Sequence, residues 1–254
     1  MDNIDWCINY LIEYNHLDLS LDISKDKLLR ALMNITIPYD LSEEFYKKQD
    51  YAIKQIYQEK NIINIDDIPF IKKRLCLYKG DITLIKADAI VNACNEKLLG
   101  CFQPLHNCID NAIHSFAGLQ VRRDLIKIMS KQKYFEHNGQ CKVTRAYNLP
   151  ARFIFHTVGP KVMGQITFEN ETDLKNCYLS CLKKADEMNL TSIVFPCIST
   201  GIYGYPKKSA ALLAYNTLQK YIQENKNSTL KKIVLNVFTE EDYETYKRII
   251  AKFD

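Results

Sequence analysis

Two thiols and an imidazole fall within one short stretch of this chain, Cys101, His106 and Cys108 in a Cys-x4-His-x-Cys spacing, with Pro104 stiffening the turn between them. Thiolate and imidazole donors together suit zinc, and three protein ligands leave a fourth position open for water or substrate. An ion held this way draws the pKa of a coordinated oxygen down towards ~7. Two thiolates reduce the net charge of the metal, so positioning counts as much as activation. The same residues also admit two plainer readings. In one they are ordinary loop thiols beside a surface histidine. In the other the zinc is purely structural and buried, with Cys94 nearest in sequence to close its shell.

The elements on either side must hold this loop. Ala89 to Ala93 is an apolar, strand-like run that feeds it, and a helix-like segment begins near Asp110, so the three donors sit at a helix N-terminus. A carboxylate there caps the helix and favours the positive end of its dipole. From Arg74 onward, strand-like runs at 75–78, 83–85, 89–91, 141–148, 152–157, 192–196 and 232–238 alternate with helical patterns. The helices are expected at 109–130, with Ile113, Phe116, Leu119 and Leu125 inward, at 171–188, at 207–223 and from about 240. Such alternation predicts an α/β domain whose sheet is sandwiched between helices, with its ligand site beyond the carboxyl ends of strands.

Residues 1–70 read differently. Ile4, Cys7, Ile8, Leu11 and Ile12 keep a helical period, as do Leu28, Leu29, Leu32 and Met33, and Ser42 is placed to cap a third helix through about Tyr57. The pattern changes near residues 66–74, which divides the chain into a helical extension, 1–70, and a main domain, 71–254. The extension is read as a layer on the main domain, either over one edge of its cleft or simply stabilising it.

A second loop, Ile198 to Pro206, follows a buried strand and precedes a helix. Its glycines, Gly201 and Gly204, permit close approach and positive φ, and consecutive N–H groups at such a turn can enclose a diphosphate; a tight strand-to-helix turn is the alternative.

Composition narrows the class. The 254 residues are 47% hydrophobic and 25% charged, an ordinary globular profile long enough for a sizeable core. No apolar run approaches ~18–20 residues and the acidic start lacks a basic n-region, so a cytoplasmic protein without a membrane partner is expected. Nine cysteines without a framework of spacings argue for reduced thiols, and Cys177 and Cys181 for burial as small apolar groups. The +4 charge, 34 basic against 30 acidic residues, is too dispersed to predict nucleic-acid binding.

Several separated motifs agree in order with one family. Gly80-Asp81-Ile82-Thr83, Val91-Asn92-Ala93-Cys94-Asn95, Leu98-Leu99-Gly100, Asp110-Asn111-Ala112-Ile113-His114 and Phe155-His156-Thr157-Val158-Gly159-Pro160 resemble a macrodomain, the ADP-ribose-binding fold, from about residue 75 to the C-terminus. Where ordinary members carry a glycine-rich run after Leu-Leu-Gly, this chain has the Cys101, His106 and Cys108 segment, which is similar to the zinc-dependent macrodomains of microbes. The resemblance implies a three-layer α/β/α domain with a mixed central sheet, preceded here by the helical extension. It implies Zn2+ as cofactor and ADP-ribose contacts from Asp81, Ile82, Asn95, Ile109, Asp110, Asn111, Ser199, Thr200, Gly201, Ile202, Tyr203 and Phe238. Asp81 would meet the adenine amino group, Phe238 the adenine face and Tyr203 the distal ribose. Asn95 and Asp110 match the catalytic pair that holds that ribose and an attacking water, and His156 is read as a core histidine.

The implied activity is removal of mono-ADP-ribose from protein side chains, acidic ones first. The resemblance also implies partners, a sirtuin-type transferase and a lipoyl-carrier protein. A non-catalytic ADP-ribose reader and an O-acetyl-ADP-ribose deacetylase remain as alternatives.

Overall fold

The structure is a computed structural model that describes residues 2–18 and 22–253. Three helices come first: α1 (Asn3–Tyr14), α2 (Lys25–Ile35) and α3 (Glu43–Gln58). Ser42 caps α3 as the sequence predicts. Its backbone is extended, its side chain accepts the N–H of Phe45, and Glu43 and Glu44 occupy the first turn.

The rest of the chain runs β1 (Ile63–Asn64), β2 (Phe70–Lys72), β3 (Leu75–Lys79), β4 (Ile85–Lys86), β5 (Ala89–Cys94), α4 (Ile109–Ala117), α5 (Leu119–Gln132), β6 (Cys141–Arg145), β7 (Phe153–Val158), α6 (Phe168–Glu187), β8 (Ser192–Phe195), α7 (Lys207–Glu224), β9 (Lys232–Val237) and α8 (Glu240–Ile250). Seven strands form one sheet in the order β2-β3-β9-β8-β5-β7-β6, while β1 and β4 pair separately. The five inner strands are parallel and the edges β2 and β6 are antiparallel, so the sheet is mixed as expected.

The two-residue period of the strands sorts the core into two halves. Cys76, Ile90, Ile154, Val194 and Val234 point to one face, where they join α4, α5 and the apolar stripes of α1, α2 and α3 in a single cluster. Leu77, Val91, Phe155, Ile193, Phe195 and Leu235 point to the other face and meet α6, α7 and α8. This is the three-layer α/β/α architecture. Inner strands such as β8 and β9 are buried throughout, which is why they read as continuous apolar runs. Cys177 and Cys181 lie fully buried in the second cluster. Among the described residues no helix is long and apolar enough to cross a membrane.

Two expectations need correction. Thr83–Ile85 is not a strand: Ile82–Leu84 is a turn of 3-10 helix capped by Asp81, whose Oδ1 accepts the N–H and hydroxyl of Thr83, and only Ile85 and Lys86 are extended. The helix expected over 109–130 is broken at Gly118, whose φ of +97° redirects the chain. At ψ 166° this backbone suits glycine and strains any side chain, and a Cβ would also press on Gln120 Oε1 at 2.5 Å and Gln49 Nε2 at 2.6 Å. Gln49 of α3 then accepts the N–H of Leu119 at 2.8 Å and starts α5 afresh.

Because the stripe of α2 lies in the same cluster as the sheet, it should melt with the sheet. Leu32→Ala is expected to cost about 2–5 kcal/mol and to move a single urea transition, followed by far- and near-ultraviolet circular dichroism together. A separate early transition confined to the helical signal would contradict this.

Candidate active site

The carboxyl ends of β5, β8 and β9 open onto one edge of the sheet, and the loops after them carry most of the residues singled out in the sequence. Between β5 and α4 the loop gathers Cys101, His106 and Cys108 so that their ligand atoms all lie within 4.8 Å of one another, each residue partly buried. Cys101 Sγ is 3.5 Å from His106 Nδ1. Cys108 is the N-cap of α4: its backbone is extended and its Sγ accepts the N–H of Asn111 at 3.4 Å. Burial pushes the Cys108 thiol up to about 12, against that N–H, which favours the thiolate. A soft divalent cation would supply the compensation such a thiolate lacks, so the donor set fits zinc. Among the described residues no fourth Cys, His, Asp or Glu joins the group. Cys94 is turned away, with Sγ 3.2 Å from the Thr157 carbonyl.

Asp110 follows two residues later, in the first turn of α4, only 5% exposed. Asn92 Nδ2 donates to its Oδ1 at 2.8 Å and Asn95 Nδ2 to its Oδ2 at 3.4 Å, while His114 Nε2 lies 3.5 Å from Oδ1. Burial raises this carboxyl to about 6, with Asn92 and the Arg122 guanidinium pulling the other way. Behind Asn92, His156 is buried with Nδ1 3.3 Å from Asn92 Nδ2 and Nε2 2.9 Å from Thr144 Oγ1. Gly100, at φ +86°, lets the loop lie against His114; a Cβ there would come 2.8 Å from that ring.

The Ile198–Pro206 loop departs from expectation in one respect. Positive φ falls on Ser199 (+64°) and Gly204 (+69°), not on Gly201, where an added Cβ would meet nothing within 4 Å. Gly201 therefore borders open space. Tyr205 N–H to the Ser199 carbonyl and Val162 N–H to the Tyr203 carbonyl pin the loop, while among the described residues the N–H groups of Gly201, Ile202 and Tyr203 donate to no protein acceptor. Ser199 Oγ and Tyr203 Oη are buried without a partner; Thr200 donates to the Cys197 carbonyl, and Ile202 is exposed. At the far end, the N–H of Gly80 donates to the Val237 carbonyl at 2.9 Å, which sets Asp81 beside the end of β9, where Phe238 is 69% exposed. Ile82 is buried there, and Ile109 is half-buried at the start of α4.

A Macro domain model matches residues 91–214. The protein-ADP-ribose hydrolase of Treponema medium is 40% identical over 253 residues, covering 96% of each chain. The chain belongs to the macrodomain family. The protein-ADP-ribose hydrolase of Staphylococcus aureus strain MRSA252 is 44% identical over 87% of this chain and 83% of its own. A point mutant of the Oceanobacillus iheyensis macrodomain, solved with ADPR, superposes with a TM-score of 0.66 at 33% identity, covering 73% of this chain and 97% of that one.

Sequence reasoning missed several residues that shape this macrodomain's cleft. Asn92 and His114 lie inside motifs that were noted, but the pattern gave no sign that both approach the Asp110 carboxylate. Arg122 is fully buried and spends its donors on carbonyls: Nε on Leu99 at 2.7 Å, Nη1 on Met33 at 2.9 Å and Thr36 at 2.5 Å. The Asn111 side chain faces the loop, with Nδ2 on the Gln103 carbonyl at 2.9 Å and Oδ1 taking Arg30.

The histidine behind Asn92 makes a stability prediction. Burial holds His156 neutral, its pKa lowered from 6.5 to about 3, so the unfolded chain binds this proton first. Its contribution is fully present above the unfolded pKa and is lost as pH falls through the window between the two values. His114, also held neutral by burial and by Arg122, adds in the same direction. His156→Gln should be less stable near neutrality. Its unfolding free energy should fall less steeply below about pH 6.5, by up to ~1.4 kcal/mol per pH unit; equal slopes in urea melts would contradict this.

Proposed function

We propose that this macrodomain hydrolyses mono-ADP-ribose from modified protein side chains, acidic ones first, with Cys101, His106 and Cys108 holding a zinc ion at the distal-ribose end of the cleft. One observation carries the reading: three soft donors converge within 4.8 Å immediately before the helical turn that presents Asp110, whose carboxylate is flanked by Asn92 and Asn95. The relatives named protein-ADP-ribose hydrolase support the reaction, and the open donor set supports a metal that takes part in it. When bound, the ion supplies Lewis acidity and a fixed point for a ribose hydroxyl or water.

The chain's own residues do the rest. The N–H groups of Gly201, Ile202 and Tyr203 are free to take the diphosphate, with Ser199 Oγ and Tyr203 Oη close behind them. Asp81 uses Oδ1 for its cap and offers the adenine amino group a carboxylate, and the exposed Phe238 ring offers it a face. Asn95 is held by the Gly100 carbonyl and by Lys97 N–H, so its amide is fixed beside Asp110 before any substrate arrives. Asp110, its pKa raised to about 6 by burial, is a stronger base than an exposed carboxylate and lies between the ribose end and the helix dipole. It orients the ribose and accepts the proton of the attacking water.

The protein acts in the cytosol, where its nine free thiols stay reduced. Its substrates are the products of a sirtuin-type transferase, with a lipoyl-carrier protein as one member of the class to assay.

Replacing Cys101, His106 or Cys108 by Ala should remove the metal and abolish turnover while the chain stays folded and keeps ADP-ribose affinity. Asp110→Asn should lower turnover about 10²–10⁴-fold. Metal analysis and product release from aspartate-, glutamate- and serine-linked ADP-ribosyl proteins measure both. Undiminished turnover in all three metal-free variants would sink the zinc reading. Tight ADP-ribose binding by the wild type with no turnover on any linkage would make it a reader instead.

A further inference from the structure

We infer that Arg30, on α2 of the N-terminal layer, is a positioning residue for the metal-binding loop, so that the extension completes the active site. The inference rests on the zinc hydrolase reading above. Within itself the loop is held by little: His106 N–H reaches the Gln103 carbonyl at 3.2 Å and Cys108 N–H the His106 carbonyl at 3.0 Å. The wider restraint comes from outside. Arg30 places Nε and Nη2 on the single oxygen Asn111 Oδ1, at 3.1 and 2.7 Å, and Nη2 also reaches the carbonyl of His106 at 3.4 Å. Asn111 passes the restraint on through Nδ2 to the Gln103 carbonyl at 2.9 Å. One guanidinium thus ties the backbone of a donor residue to the helical turn that carries Asp110.

A second tether runs parallel. Asn34, fully buried on the same helix, accepts the N–H of Leu105 at 3.0 Å and donates to Ser115 Oγ at 2.9 Å. Ser115 Oγ in turn donates to the Asn111 carbonyl at 2.7 Å. Leu105 sits at φ +56°, a backbone conformation that needs such an outside hold, and it immediately precedes His106. Partners at one remove from a metal orient its ligands, and losing one typically costs 10–100-fold in affinity or activity. The guanidinium also lies 5.7 Å from the Phe116 ring, so simple packing is the competing role.

Arginine's planar fork reaches two acceptors at once, which a lysine point charge cannot do. Arg30→Lys keeps the charge and much of the packing while removing the fork, and Arg30→Met keeps only the stem. Cobalt(II) in place of zinc reports ligand geometry in full-length protein without substrate, through its thiolate charge-transfer and d–d bands, and a competing chelator gives its affinity. Both variants are expected to show altered d–d bands, cobalt affinity lower by 10–100-fold, and a fall in kcat with KM and ADP-ribose affinity little changed. Lys27→Met, exposed on the same helix, should match the wild type. Should Arg30→Met fail to fold, Arg30→Lys carries the test. A folded Arg30→Lys with wild-type bands and affinity would overturn the positioning role and leave the zinc reading intact. A wild-type protein that takes up no more cobalt than Cys108→Ala would overturn both.

Discussion

A carboxylate taken out of water must be given donors, and the cleft is arranged around doing this for Asp110. Its first oxygen receives the Asn92 amide and lies near His114; its second receives Asn95. Arg122 stands close enough to lower its pKa, and Asp110 is the second residue of α4. None of these partners is strong enough to return the pKa to that of a solvated acid, so the group keeps a value of about 6. A carboxylate so placed is held in one orientation and is basic enough to share a proton near neutrality. One of the three clustered donors is fixed by the same helix start, because Cys108 caps the helix whose first turn contains Asp110. Cys108 and the Asp110 carboxylate therefore cannot drift apart independently.

The sequence made this arrangement legible where chemistry and geometry are both local. Cys101, His106 and Cys108 lie within one loop, so their spacing singled them out as candidates, and Ser42 and Asp81 cap turns that begin at the next residue. Alternating β and helical patterns were enough for the three-layer fold because each inner strand is buried on both faces. Legibility ended where a contact spans the chain. Arg30 meets Asn111 across 81 residues and Arg122 meets Met33 across 89; nothing in either neighbourhood marks a polar side chain as turned inward. The break at Gly118 escaped notice for a different reason. Apolar residues keep helical spacing through it, and periodicity is blind to a single left-handed residue that resets the axis. The loop after β8 shows the converse error, since Ser199 takes the left-handed backbone that composition assigns to a glycine.

The N-terminal layer follows from the same physics. A sheet face covered by α4 and α5 still leaves apolar surface, and the stripes of α1, α2 and α3 close it, which explains their place in one core. Stability alone would be served by apolar side chains throughout. Instead α2 carries Arg30 and Asn34 on its inward side, and α3 carries Gln49, a fully buried amide that starts α5. Burying such groups is costly unless their donors find acceptors, and here Arg30 finds Asn111 Oδ1 and the His106 carbonyl, Asn34 finds Ser115 Oγ, and Gln49 finds Gln120 Oε1.

Five of the ten buried side-chain polar atoms without a hydrogen-bond partner among the described residues lie at the cleft; the other five belong to Tyr46, Arg123, Glu136, Thr157 and Gln219. His114 Nδ1 and Nε2, Asn92 Oδ1, Ser199 Oγ and Tyr203 Oη are all buried without a hydrogen-bond partner in the chain. Each such group costs roughly 1–3 kcal/mol in a protein interior. Those at the cleft fall in two places, beside the Asp110 carboxylate and in the turn after β8. On the proposed reading, a nucleotide diphosphate would bring acceptors for the free N–H groups of that turn and for Tyr203. On that reading, a ligand bound there would recover part of what these unpaired groups cost the fold.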